Sequence, residues 1–157
     1  AGLAYDLGLR RTPLSWVPWW AGMAVLPLEG YASVGSIPSR LLMLIPLSGL
    51  IAIGLHFANA LPDLDGDRRS GRRSLPVIVG DRVSRRAGPI TLAIAGLTAA
   101  FVAGPLGQGG WVFWGGLGIL ALAVVAVMIT RSRRPFPALA VATAFFAIAW
   151  LASLPRT

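Results

Sequence analysis

Residues 87–130 read AGPITLAIAGLTAAFVAGPLGQGGWVFWGGLGILALAVVAVMIT, and no charged side chain interrupts them. Crossing a bilayer's hydrocarbon takes roughly 20 apolar residues at about 1.5 Å of helical rise each. The run is therefore long enough for two crossings. Glycine and proline in Gly104-Pro-Leu-Gly-Gln-Gly-Gly110 divide it, which predicts spans over about 87–104 and 111–130. Working outward, residues 12–28 are uncharged, with Pro13, Pro18 and Pro27 marking ends or a kink. Residues 41–62 are uncharged if His56 is neutral, and 136–154 supplies a last apolar stretch. The expectation is an all-α, multi-span transmembrane helix bundle of about five spans, one membrane domain over 1–157.

Composition agrees. Of the 157 residues 55% are hydrophobic and 13% charged, and the mean hydropathy is +0.71. A water-soluble domain of this size carries about a quarter charged residues. The net charge of +8 does not indicate a nucleic-acid partner, because the arginines cluster beside apolar runs, as membrane-flanking charges do. There is no Cys, so disulfides and thiolate zinc sites are excluded. The chain opens at Ala1 without Met, which reads as a fragment or processed piece.

All 14 basic residues are Arg. On one side of a five-span arrangement fall Arg10 and Arg11, then seven between 68 and 86, then Arg131, Arg133 and Arg134; on the other, only Arg40 and Arg156. That imbalance predicts that the 63–86 segment faces the cytoplasm, and the expected location is a bacterial cell membrane. Trp16, Trp19, Trp20, Trp111 and Trp114 suit interfacial belts, and interhelical packing is an equal alternative for each. Gly96, Gly115, Gly116 and Gly118 are expected to let helices approach closely.

Four of the six acidic residues lie between Asp63 and Asp81. The segment reads Asn59-Ala-Leu-Pro-Asp63-Leu-Asp65-Gly-Asp67-Arg-Arg-Ser-Gly71-Arg-Arg-Ser-Leu-Pro-Val77. On a helix Asp63 and Asp67 share a face, Asn59 extends it, and Asp65 points elsewhere. Two carboxylates held close repel, so a cation belongs between them. Mg²⁺ suits this setting, since it takes one or two carboxylates and completes its shell with water and phosphates. Pro62 disfavours helical geometry at Leu61, or begins a new turn. Arg68, Arg69, Arg72 and Arg73 follow at helical spacing, and guanidinium forks bind phosphate oxygens bidentately. Such arginines also anchor topology or touch anionic headgroups. Asp81 reads as a cap or solvated residue opening the next span. A calcium loop is excluded, because Gly66 stands fourth and Ser74 twelfth from Asp63. The acidic pattern of phosphatidyl-transfer enzymes is present only in fragments, and His56 reads as an interior hydrogen-bonded residue under functional suspicion.

The segment resembles the second aspartate-rich motif of the UbiA superfamily of intramembrane prenyltransferases. Asn59, Asp63-Leu-Asp-Gly-Asp67 and Gly71-Arg72-Arg73-Ser74-Leu75, closing at Gly80, carry the resemblance, with Ser74 where Thr is typical. Tyr5-Asp-Leu-Gly-Leu-Arg-Arg-Thr-Pro is similar to that family's link between its fourth and fifth helices. The resemblance implies the C-terminal five of nine helices. It implies Mg²⁺ on Asp63 and Asp67, diphosphate contacts from Arg72 or Arg73, and Asn59 lining the pocket. The implied reaction is transfer of an isoprenyl group from a prenyl diphosphate, through an allylic cation, to an acceptor, often aromatic. The family's first aspartate motif is absent, Asp6 cannot replace it, and this chain alone is expected to be inactive. The competing expectation is a non-catalytic scaffold binding anionic lipid or a partner through its basic loop; a phosphatidyl-transfer enzyme is the weaker third.

Overall fold

The computed structural model describes residues 8–33, 35, 42–103 and 110–153. Tyr5, Asp6, Arg40, Arg156 and the glycine-proline break at 104–109 lie outside the described residues. Seven helices are described: α1 (Val17–Ser33), α2 (Leu44–Ala60), α3 (Leu64–Arg69), α4 (Leu75–Val79), α5 (Asp81–Ala103), α6 (Trp111–Thr130) and α7 (Phe136–Ser153). Short 3-10 turns occupy Leu9–Arg11 and Leu61–Asp63. No strand occurs among the described residues.

Four stretches are long and apolar enough to cross a membrane: Leu44–Arg69, Asp81–Ala103, Trp111–Thr130 and Phe136–Ser153. The first helix, α1, has 17 residues, or about 25 Å of rise, a little under the hydrocarbon thickness of ~30 Å. It begins five residues later than the 12–28 expected, because Pro13 lies in a turn and Pro18 fits a first helical turn that needs no N–H there.

Neighbouring helices pack in the order α1–α2–α5–α6–α7, and α7 returns against α2. Each contributes a stripe at three- and four-residue spacing: Leu47, Ile51 and Leu55 from α2, Leu92, Ala95 and Ala99 from α5. Phe113 of α6 stands 6.0 Å from Phe146 and 5.6 Å from Trp150 of α7, ring centre to ring centre. The opposite faces are apolar too: Phe101 is 80% exposed, Ile129 75% and Leu122 72%. Helices apolar on both faces belong in lipid, and the chain is an integral membrane protein.

Close approach is concentrated at two glycine contacts. A Cβ on Gly54 of α2 would lie 2.8 Å from the Leu92 side chain and 3.0 Å from the Gly88 carbonyl of α5. One on Gly116 of α6 would lie 2.6 Å from the Ala149 Cβ of α7. Gly96 also meets a neighbour, Leu117 at 3.0 Å, whereas Gly115 and Gly118 face open space and serve no packing. Sequence alone could not assign these faces, because α6 is apolar all round. The inner tryptophans also resolve toward packing. Trp20 donates its indole N–H to the Ile45 carbonyl (2.8 Å), and Trp19 stands edge-on to His56 and Phe136. Trp111, 86% exposed, keeps the surface position expected of a belt residue.

Candidate functional site

At its C-terminal end α2 does not stop; it tightens. Leu61, Pro62 and Asp63 form a single 3-10 turn with Pro62 in its first positions, and α3 follows directly. Leu61 keeps helical geometry (φ −56°, ψ −43°) despite preceding proline. The preference against that geometry is overridden here by the buried Leu61 and Leu64, which anchor the turn in the core. The Asn59–Asp63–Asp67 stripe survives as a result, and all three residues line one small polar cavity of about 140 Å³ with His56, Arg72 and Ser74. Asp63, Asp67 and Arg72 also line a wider cleft of about 600 Å³ that includes Asp65 and Arg69.

Gly71 turns the chain back over this cleft. Its φ of +72° is a left-handed conformation that glycine adopts without penalty. The Gly71 N–H donates to the Arg68 carbonyl (3.2 Å) and the Arg72 N–H to the Asp67 carbonyl (3.0 Å). This brings the Arg72 guanidinium onto the Asp67 carboxylate, which accepts a hydrogen bond from Nη1. The Asp67 side chain is 16% exposed and that of Arg72 35%. Asp63 and Asn59 are exposed, and Asp65 points outward to a loose pairing with Arg68 at 3.7 Å.

Arg73 takes a different course. Its N–H donates to the Arg11 carbonyl (3.1 Å), its side chain is exposed, and it lines neither the cavity nor the cleft. Helical spacing had put Arg72 and Arg73 on equal terms, but the helix ends at Arg69 and both residues lie in the irregular segment after the turn at Gly71. Four side chains therefore meet as expected (Asn59, Asp63, Asp67, Arg72) and one does not.

The sequence gives no sign that Ser74 lines the cavity, and it offers Arg69 only as one of four arginines at helical spacing. Ser74 is buried and caps the start of α4 with no side-chain hydrogen bond. His56 is buried beside Ser15, with 2.9 Å between Nε2 and Oγ, while its Nδ1 has no protein partner. Ser15 is 41 positions away in sequence, so no local pattern announces the pair. Asp81 opens α5 and is held by both Arg85 hydrogen bonds, each 2.8 Å.

The small cavity is lined by two carboxylates and an amide, Asp63, Asp67 and Asn59, beside His56 and Ser74. No group of three or more His, Cys, Asp or Glu suited to a metal occurs among the described residues. The set that these residues offer is a sparse one. It suits Mg²⁺, which keeps water and phosphate oxygens in its shell and asks one or two carboxylates of the protein.

A membrane helix bundle with paired carboxylates and an arginine at one end of a spanning helix defines the class: an integral membrane protein with a polar site at the end of its helices. The chain belongs to the UbiA prenyltransferase family, whose model matches residues 1–149. It is similar to digeranylgeranylglyceryl phosphate synthase of Natronomonas pharaonis, 31% identical over 88 residues, 55% of this chain and 31% of that protein. It is similar to the chloroplastic chlorophyll synthases of Arabidopsis thaliana (29% over 115 residues, 73% of this chain, 25% of that protein) and Oryza sativa subsp. japonica (28% over 112 residues, 71% and 27%). The matched part spans no more than about a third of the length of these curated relatives. No solved structure matches it significantly.

Proposed function

We propose that this chain forms the donor-binding part of a prenyltransferase that moves an isoprenyl group from a prenyl diphosphate to an acceptor, often aromatic, at the cytoplasmic face of a bacterial membrane. The observation that carries the reading is the meeting of Asn59, Asp63, Asp67 and Arg72 in one cavity, within a chain of this family.

Asp63 and Asp67 would hold Mg²⁺, with the Asn59 amide beside them. The ion, when bound, supplies charge neutralisation that makes the diphosphate a better leaving group. In the structure Asp67 is neutralised by Arg72. With a metal held by Asp67, Arg72 would be free to turn its fork to phosphate oxygens. Arg69, on the same cleft, adds a second guanidinium. In the reaction the donor's C–O bond breaks, the isoprenyl carbon bonds to the acceptor, and the acceptor gives up a proton.

The tail has a matching place. An apolar cavity of about 390 Å³ runs between α1, α2 and α7, lined by Met23, Leu47, Ile51, Leu55, Phe146 and Trp150. Leu55 lines it and the adjacent His56 lines the polar cavity, so one helix presents apolar and polar walls in succession. The resemblance implies that a further aspartate-rich motif, absent from these residues, completes the metal site.

The test is Mg²⁺-dependent transfer from geranylgeranyl diphosphate by the native-length protein in membranes, comparing wild type with Asp63→Asn and Asp67→Asn. Each variant is expected to lose activity by at least about a hundredfold, the scale for removing a group that stabilises transition-state charge. Full activity in either variant would remove that carboxylate from the site.

A further inference from the structure

The molecule carries a second polar concavity, separate from the carboxylate cleft. It has a volume of about 870 Å³ and lies where the start of α5 meets the connection between α6 and α7. Five arginines line it: Arg82, Arg85 and Arg86 from α5, Arg131 and Arg133 from the connection. The one acidic side chain, Asp81, is occupied by both hydrogen bonds from Arg85. Five positive charges less one negative leave +4 in a single cleft. Among the described residues Arg82, Arg86, Arg131 and Arg133 form no ion pair.

General preferences explain only part of this arrangement. A cation at a helix C-terminus complements the helix dipole, which accounts for Arg131 at the end of α6. The same dipole opposes cations at an N-terminus, yet Arg82 and Arg86 lie in the first two turns of α5. The positive-inside rule asks for charge on this side of the membrane but does not ask that two distant segments aim it at one place. Arg131 adds a backbone observation. It has φ 49° and ψ 39°, a left-handed cap where glycine is usual, and is the non-glycine residue of positive φ among those described.

The cleft is not purely polar. Ile90, Val127 and Met128 line it beneath the arginines; Ile90 is 42% exposed and Met128 50%. They continue into the lipid-facing surface of α5 and α6, where Ile94 and Ile129 are exposed. Guanidinium groups above and an apolar wall below match a molecule with an anionic head and an acyl tail.

We infer that this cleft binds the phosphate headgroup of an anionic membrane phospholipid, its head among Arg82, Arg86, Arg131 and Arg133 and its chain along Ile90 and Met128. Basic pockets between helix ends at a membrane surface take such headgroups through multiple guanidinium–phosphate contacts. The site is independent of the prenyl-transfer reading and stands or falls without it.

The native-length protein in an uncharged detergent is titrated with dioleoylphosphatidylglycerol, dioleoylphosphatidylcholine and inorganic phosphate. Native mass spectrometry reads bound lipid, and thermal unfolding reads stabilisation. Phosphatidylglycerol should bind and raise the melting temperature, phosphatidylcholine should do neither, and phosphate should fail to displace the lipid. The double variant Arg86→Gln/Arg133→Gln should lose roughly thirtyfold in phosphatidylglycerol affinity, at about fivefold for each arginine near an anionic surface. Arg11→Gln/Arg68→Gln, which removes equal charge from exposed positions outside the cleft, should lose nothing. Arg131→Gly should melt higher than wild type without lipid, from relief of the left-handed backbone, and yet bind phosphatidylglycerol more weakly. Equal losses in the two double variants would reduce the effect to bulk charge and overturn the site. Equal binding of the two lipids would do the same, as would displacement by inorganic phosphate.

Discussion

Gly54 offers the sharpest test of how the carboxylate-bearing helix is held. Gly54→Ala places a Cβ 2.8 Å from both the Leu92 Cγ and the Thr91 Oγ1, and 3.0 Å from the Gly88 carbonyl oxygen. Optimal carbon–carbon separation is about 3.5–4.0 Å, so α2 and α5 must part by up to about 1 Å at this level. Leu92 is fully buried and Gly88 is backbone, so neither neighbour can swing aside. Overpacking of this kind costs about 1–3 kcal/mol. Alanine's better helix propensity returns at most ~1 kcal/mol, so a net loss remains across most of that range. In a chain of this size 1 kcal/mol moves the melting temperature by about 2–4 °C, and a drop of several degrees is expected in detergent. Gly118→Ala is the internal control: it lies on α6 with nothing within 4 Å of an added Cβ, gains the propensity term alone, and should melt at or above wild type. Equal melting temperatures for Gly54→Ala and Gly118→Ala would refute the argument that α2 and α5 are fastened through a glycine contact.

Gly71→Ala puts a Cβ on a residue at φ +72°, a penalty of about 1–2 kcal/mol. It should misplace Arg72, raising the KM for prenyl diphosphate by about tenfold with a smaller change in kcat. Arg72→Gln should raise that KM similarly, since a hydrogen bond to a charged group is worth about 1.5–3 kcal/mol, while Arg73→Gln, exposed and outside the cleft, should not; kinetics of the two variants side by side decide it. Chelation of divalent ions should abolish transfer and added Mg²⁺ restore it, followed by product formation. Trp20→Phe removes the indole hydrogen bond to the Ile45 carbonyl and should lower thermal stability by about 1 kcal/mol without altering the KM for donor.

The long helices were legible because a lipid solvent imposes a plain rule: each spanning segment must stay free of charge, so arginines mark the ends. The Asn59–Asp63–Asp67 stripe was legible for a similar reason, since four-residue spacing puts residues on one face wherever the backbone stays helical. That condition was in doubt at Pro62, and burial of Leu61 and Leu64 resolved it. Arg73 parts from Arg72 because the turn at Gly71 ends helical periodicity before either residue. The Ser15–His56 pair, the different roles of Gly115 and Gly116, and the convergence of Arg82 with Arg131 depend on which faces meet. Helices apolar all round carry no local signal of that.

The uninterrupted path from α2 through the 3-10 turn into α3 has a consequence for depth. At about 1.5 Å per residue, Asn59, Asp63 and Asp67 form rungs about 6 Å apart along that path. On the proposed reading, a ligand anchored by its hydrocarbon chain would not have to be hauled out of the bilayer to be gripped. The protein would reach down to it, and the height of each rung would select how far the ligand's charged end must protrude.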